Sequence, residues 1–300
     1  MKFSMVCFIS FLCVAGLSWS QTSQTDPDRQ NSVPLYRVTV VGRTAKAVNY
    51  GHRDYPTKVD MRGTVLMPYA RGEATVESKR GAMRVEAKMK NLEPPTKFGR
   101  EYLTYVMWAI TPDGRATNLG EVVANDDNKG KLATASELQA FALIVTAEPY
   151  YAVSMPSDLV VLENVIRPDT MGKFEEIDAK YELMPRGHYT FDVQAPTYSS
   201  QTPERKVSLD EYEMLLELYQ AQNAVQIARS VGADRLAADT LRRAEQLLQE
   251  ARNAHERKAG NKTVVMTARH AAQAAEDARI IAVKRQEEGQ AAVRPVALDR

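Results

Sequence analysis

Residues 207–300 hold twenty alanines, three glycines and one proline. That composition commits the last third of the chain to helix, because alanine loses the least on entering a helix and the few breakers can act only as punctuation. Ser208-Leu209-Asp210-Glu211 reads as a capping box, with the glutamate three residues after the serine. The first helix is expected to run to about Ser230, where Gly232 breaks it. A second is expected over 234–258, closed by Gly260-Asn261, and a third over 262–287. Gly289 and Pro295 mark a tail over 289–300.

The later helices carry a heptad-like seam. Ala237, Leu241, Ala244, Leu248, Ala251 and His255 are spaced four or three residues apart, as are Ala268, Ala271, Ala275, Ala278 and Ala282. Such repeats indicate helices packed along one another, and methyl groups at the contact let the axes approach closely. The short Gly-Asn loop makes the pair antiparallel. Arg242, Arg243, Glu250, Arg252, Glu276 and Asp277 are then expected on outer faces, and Arg279 with them.

The period changes upstream. Strand-like runs begin near Leu35, where Tyr36, Val38 and Val40 alternate with Arg37, Thr39 and Val41. Further runs follow at Val59 and Met61, 64–67, 75–77, 83–89, 102–110, 119–123, 140–146, 160–165 and 174–183. Thr111-Pro112-Asp113-Gly114-Arg115 and Asn125-Asp126-Asp127-Asn128-Lys129-Gly130 are turns. Short strands at this spacing indicate an antiparallel β-sandwich over 35–193. Residues 194–206, with two prolines among Ser, Thr and Gln, form a linker. The expected architecture is therefore β then α. A sandwich is followed by a long-helix antiparallel hairpin or three-helix module over 207–288, and the two parts are expected to fold separately.

The N-terminus reads as an address. Lys2 precedes an apolar run from Phe3 to Leu17, and Ser18-Trp19-Ser20 supplies a small-residue cleavage site before Gln21. This is the pattern of a secretory signal peptide over 1–20, followed by a polar leader over 21–34. Export to the periplasm or cell envelope is expected, with outer-membrane association allowed. The only cysteines, Cys7 and Cys13, leave with the signal, so the mature chain has no thiol for disulfides, metal or catalysis. Removing Lys2 leaves it formally neutral. Nucleic acid is not an expected partner, because phosphate neutralisation needs a basic excess.

Two family resemblances rest on particular residues. Asn91-Leu92, Tyr105-Val-Met-Trp108-Ala-Ile-Thr-Pro112-Asp-Gly114, Leu119-Gly120-Glu121, Ala142-Leu-Ile-Val-Thr146-Ala-Glu148-Pro149 and Met155-Pro156-Ser157 resemble the extracytoplasmic domain of anti-sigma-K factors over about 63–165. Tyr150 and Tyr151 replace that family's glycine pair, and its sigma-binding helices and membrane span have no counterpart. The resemblance implies the sandwich fold and not sigma-factor regulation. Residues 221–288 resemble the alanine-rich helical family called domain of unknown function 4398, through Gln222-Asn223-Ala224, Ala228, Gly232-Ala233, Leu241, Ala244, Leu247 and Ala251, then Ala268, Ala271, Ala275 and Ala278. That module often precedes an OmpA-type peptidoglycan-binding domain. No such domain is read here, so the resemblance allows peptidoglycan association but carries over no binding residues.

Chemistry-bearing motifs are few. There is no Gly-x-Ser-x-Gly elbow and no phosphate-binding glycine loop. His255-Glu256 opens like a zinc-protease motif, but Ala259 stands where the second histidine belongs. His52 and His188 complete the histidines with His270; His255 and His270, on neighbouring antiparallel helices, need not face each other and are read as exposed or seam-edge residues. Read as a calcium loop, Asp126, Asn128 and Glu137 take the first, third and twelfth positions, but Lys131 occupies the glycine position. A solvated turn fits better. Tyr102, Tyr105, Trp108, Phe141, Tyr150 and Tyr151 could stack a glycan or peptide, or fill a core; strand aromatics usually fill the core. Asp113 and Glu148 are the carboxylate pair weighed for acid–base work. Asn261-Lys262-Thr263 matches a glycosylation sequon, relevant only to a eukaryotic secretory route.

No catalytic, cofactor-binding or metal-ligating residue is singled out and no cofactor is expected. The expected function is that of a non-enzymatic, exported envelope protein with a binding or sensing sandwich. Its helical arm would serve interaction, through an envelope protein partner or through self-assembly. A glycan- or wall-acting enzyme and a small-ligand carrier are the alternatives.

Overall fold

The computed structural model describes residues 41–51, 55–79, 81–125, 127–167, 177–183 and 208–293. The expected signal peptide over 1–20, leader over 21–34 and linker over 194–206, the expected strand run over 36–40, and His52, Asp126 and His188 lie outside them.

Ten strands form one antiparallel sheet: β1 (Val41–Asn49), β2 (Thr57–Gly63), β3 (Arg71–Lys79), β4 (Ala82–Lys90), β5 (Thr104–Ile110), β6 (Ala116–Val122), β7 (Lys129–Ser136), β8 (Ala140–Glu148), β9 (Val160–Val165) and β10 (Ile177–Leu183). Pairing runs β6-β5-β8-β9-β2-β3-β4-β7. A single bridge, Ala124 to Gly130, brings the two ends together, so the sheet curls almost into a barrel. β1 pairs with β10 and reaches the start of β8 at Val48 and Asn49.

The burial of each strand follows from what covers it. β4 alternates, with Met83, Val85, Ala87 and Met89 buried and Arg84, Glu86, Lys88 and Lys90 exposed. This is the signature of a strand with one face in the core and one in water. β5 is buried at every position and β8 at all but Ala140, because both of their faces are covered. Their run of apolar residues records that double cover. A Cβ at Gly130 would sit 2.6 Å from Val122 Cγ1 and 2.9 Å from Leu92 Cδ1, so the core closes directly on its backbone.

One strand, β7, lay outside the sequence expectation, and one expected run is not a strand. The run expected from Tyr36 to Val41 lies outside the described residues except at Val41, where β1 begins. β7, Lys-Gly-Lys-Leu-Ala-Thr-Ala-Ser, pairs only with β4 apart from that one bridge and carries lysines and small residues, a composition suited to an edge. Residues 64–67 form a turn, closed by Met67 N–H to Thr64 O at 3.1 Å and Ala70 N–H to Met67 O at 3.1 Å.

The helices are α1 (Leu209–Ser230), α2 (Ala233–Leu236), α3 (Ala238–Glu256) and α4 (Asn261–Val293). Ser208 caps α1, its side chain accepting from Glu211 N–H at 3.2 Å. Gly232 and Gly260 take φ of +79° and +93°, the left-handed turns that glycine permits. The expected second helix is interrupted at Ala237, where φ is −144°. α4 continues past Gly289, beyond the expected end at 287.

Bonds between helices set their directions. Arg229 pairs with Glu245, and Arg252 donates to Gln222, so α1 and α3 are antiparallel. Gln286, late in α4, donates to Val231 O just past the end of α1. Arg269, early in α4, pairs with Glu217 in the first half of α1, so α1 and α4 are parallel. α4 is therefore the shared neighbour of α1 and α3. Ala268, Ala271, Ala272, Ala275, Ala278 and Ala282 in it are fully buried. Small side chains over that much of its surface let α1 and α3 both pack closely against α4.

The sheet and the helices share one continuous cluster of buried apolar residues and belong to one compact unit. The expectation of separately folding parts is corrected by that shared core.

Candidate functional site

The polar groups that the fold gathers lie between the helices and the outer face of β5, β6 and β8. Side-chain alternation puts Thr104, Val106 and Trp108 on that face, together with Thr146 and Glu148 across the β5–β8 ladder. Glu121 stands opposite Val106 on β6 and joins them.

Glu121 is the centre of the first cluster. Its Oε1 accepts from Thr104 Oγ1 and from Gln220 Nε2 of α1, both at 2.7 Å. Its Oε2 accepts from Arg269 of α4 at 3.0 Å. Arg269 also pairs with Glu217, and its guanidinium lies 3.8 Å above the Tyr151 ring. Gln220 closes the circuit by accepting from Tyr151 N–H at 2.7 Å. Burial, aided by the nearby Glu121 charge, pushes the Glu217 carboxyl up to about 7.

The second cluster surrounds Glu276 of α4. Its carboxylate accepts from Tyr150 O–H at 2.5 Å, from Ser154 N–H at 2.9 Å, and from Arg279 Nε and Nη2 at 2.7 and 2.8 Å. Arg279 also donates to Ser154 Oγ at 3.0 Å. Burial works to raise the Glu276 carboxyl, but these donors outweigh it and hold the group below its ordinary value. Burial raises the Tyr150 phenol well above its own. The outer-face expectation for Glu276 and Arg279 is thereby corrected: they are 1% and 8% exposed. Asp277, Arg242 and Arg243 are exposed as expected.

Behind the second cluster lies Glu148. Trp108 Nε1 donates to Thr146 Oγ1 at 2.8 Å, and Thr146 donates to Glu148 Oε1 at 2.5 Å. Ser157 N–H supplies a further bond to Oε1 at 2.7 Å. Oε2 is buried and has no hydrogen-bond partner among the described residues. Burial pushes this carboxyl up to about 8, so it is mostly protonated at neutral pH.

The residues weighed from sequence fall elsewhere or play structural parts. Tyr102, Tyr105, Trp108, Phe141 and Tyr150 are buried, in keeping with the core-filling alternative; Tyr50 tilts against Phe141 at 4.7 Å. Tyr151 is half-buried beneath Arg269. Asp113 sits in the β5–β6 turn beyond Ile110, whereas Glu148 lies opposite Thr104 at the other end of that ladder. Six residues of strand put the pair about 20 Å apart, too far for shared acid–base work. His255 is half-buried on α3 and His270 exposed on α4; among the described residues no group of three or more metal-ligating side chains assembles. At Asn125, Oδ1 accepts from Lys129 N–H at 2.8 Å, the geometry of a solvated turn.

Sequence reasoning missed Glu121, Glu217, Gln220, Arg269, Glu276 and Arg279. One signal was available: Glu276 and Arg279 are a charged pair three residues apart inside an alanine stripe. Comparison with protein-family models, curated proteins and solved structures finds no match to this chain. Among the described residues no helix is long and apolar enough to cross a membrane.

Proposed function

We propose that this is a non-enzymatic, exported protein of the cell envelope. Its β-domain would bind or sense, and its helical layer would serve interaction. The observation that carries the reading is the use of the buried charges. Glu121, Glu217, Arg269, Glu276 and Arg279 are committed to one another and to neighbouring backbone, and they fasten α1 and α4 to the sheet. A braced layer of this kind suits a rigid recognition module. The exposed flank of α3 and the outward face of α4 are the surfaces it offers to an envelope partner, to a second copy or to the wall. The apolar leader and the thiol-free remainder of the chain support export. The finer fold assignment goes with this proposal: a sandwich of the anti-sigma-K type, flattened from the curled sheet, followed by a three-helix module of the alanine-rich family.

Cell fractionation with mass spectrometry tests it. An N-terminus near Gln21 in the envelope fraction, with a protein cross-linked there, supports the reading. Intact protein beginning at Met1 in the cytoplasm overturns it.

A further inference from the structure

Strand register assembles a feature that no local stretch of sequence contains. Arg62 of β2 stands opposite Arg71 of β3, Arg71 opposite Lys90 of β4, and Lys90 opposite Lys129 of β7. All four are exposed. At about 4.8 Å per strand the row is roughly 14 Å long. Lys88 and Lys131 stand opposite one another two residues further along the same face.

Like charges directly opposite one another in a sheet are destabilising. Arg62, Lys88, Lys90 and Lys131 make no ion pair with any described residue. Lys129 meets Asp127 at 3.2 Å, and Arg71 donates to the carbonyls of Pro68 and Ala70 at 2.6 Å. The acids of the patch are Glu163, opposite Arg62, and Glu73 and Asp60, which continue the second row beyond Lys88 and are engaged by Arg167 and Lys58.

The row ends in an apolar tip. The β2–β3 loop projects Val65 and Tyr69, which are 93% and 77% exposed, with Pro68 exposed between them. The loop is held firmly. Thr64 Oγ1 donates to Val160 O at 2.7 Å, Asn91 Nδ2 donates to Tyr69 O at 3.0 Å, and Met67 is buried beneath it. A Cβ at Gly63 would lie 2.0 Å from Met67 O, so the tight path of the loop requires glycine. An aliphatic side chain, a proline and a tyrosine are therefore displayed on a rigid tip, two or three residues beyond Arg62 and Arg71.

We propose that this end of the sheet docks on an anionic phospholipid surface. Val65 and Tyr69 enter the headgroup boundary, while Arg62, Arg71, Lys90 and Lys129 meet the lipid phosphates. The cations alone would suit any polyanion. The exposed apolar tip favours a bilayer, because only an interface offers an apolar phase next to a layer of negative charge. The inference goes beyond the export reading and does not depend on it, since purified protein reports on it directly.

Sedimentation with vesicles tests the proposal, using the full chain as recovered from cells. The vesicles are phosphatidylcholine alone and phosphatidylcholine with about a third phosphatidylglycerol. Parent and variants share residues 1–40, so any contribution of the apolar leader cancels between them. Binding is expected to the anionic vesicles and to weaken with added salt. At about fivefold per cation, the double variant Arg62→Gln/Lys90→Gln should bind roughly 25-fold more weakly. Val65→Ser/Tyr69→Ser should also weaken binding, while Arg243→Gln/Arg257→Gln on the helices should leave it unchanged. Equal binding of parent and charge variant overturns the proposal, as does absence of binding at low salt. If heparin binds, with loss on charge removal but indifference to Val65 and Tyr69, the patch belongs to a soluble polyanion instead.

Discussion

Glu148 illustrates how a single buried residue can couple stability to pH. Its carboxyl moves from an ordinary value of 4.5 to about 8 because burial disfavours the charged form. Below about 4.5 the group is neutral in both the folded and unfolded chain and costs nothing. Between those values the unfolded chain ionises while the folded protein resists, so stability falls as pH rises, and the loss is complete above about 8. At about 1.4 kcal/mol per unit, the total is on the order of a few kcal/mol. Glu148→Gln keeps an acceptor for Thr146 and Ser157 without an ionisable proton. Urea unfolding at pH 5, 7 and 9 should show the parent losing ground to the variant as pH rises; parallel profiles would contradict this. Glu217, raised to about 7, adds a loss of the same sign to both proteins, so their difference isolates Glu148.

Arg279 is the second residue on which much depends. Its side chain and that of Glu276 are 10% and 1% exposed. Arg279→Leu would leave a buried carboxylate with its best donor removed, which costs about 3–5 kcal/mol. Adding Glu276→Gln should recover part of that loss, because the charge is then gone. A near-neutral single variant in thermal unfolding would show that the pair contributes little.

At the scale of elements, α4 is the member whose environment differs most from its apparent character. A run of alanines invites reading as a simple two-helix seam. Its close packing against both α1 and α3 makes the methyl group a spacing device on two sides. Ala275 is fully buried. Ala275→Leu is expected to destabilise by about 1–3 kcal/mol through overpacking. Thermal unfolding at two protein concentrations would distinguish this from a seam that joins two copies, for which the midpoint would depend on concentration.

For the whole molecule, the shared core implies that sheet and helices melt together. Trp108, the one tryptophan among the described residues, is buried on the face of β5 that looks toward the helices, so its fluorescence reports on that contact. Helical circular dichroism reports on α1, α3 and α4. The two transitions should coincide in heat and in urea. A helical signal that outlasts the tryptophan change would show that the helices persist after leaving the sheet.

The sequence alone determined the features set by near neighbours along the chain. The helices were legible because alanine content, the Ser208 cap and the glycines at 232 and 260 act within a turn or two of backbone. The long apolar runs of β5 and β8 were legible because burial on both faces leaves no alternation to interpret. β7 was not, since small and charged residues on an edge strand carry little hydrophobic signal. Closure of the sheet, the insertion of Glu276 and Arg279 beneath the helices, and the cationic row were decided only in three dimensions. Arg62, Arg71, Lys90 and Lys129 are spread over four strands, and nothing local distinguishes them from other surface charges. Register places them side by side, and register follows from which strands pair and which residues each must bury, a competition between segments far apart in the chain.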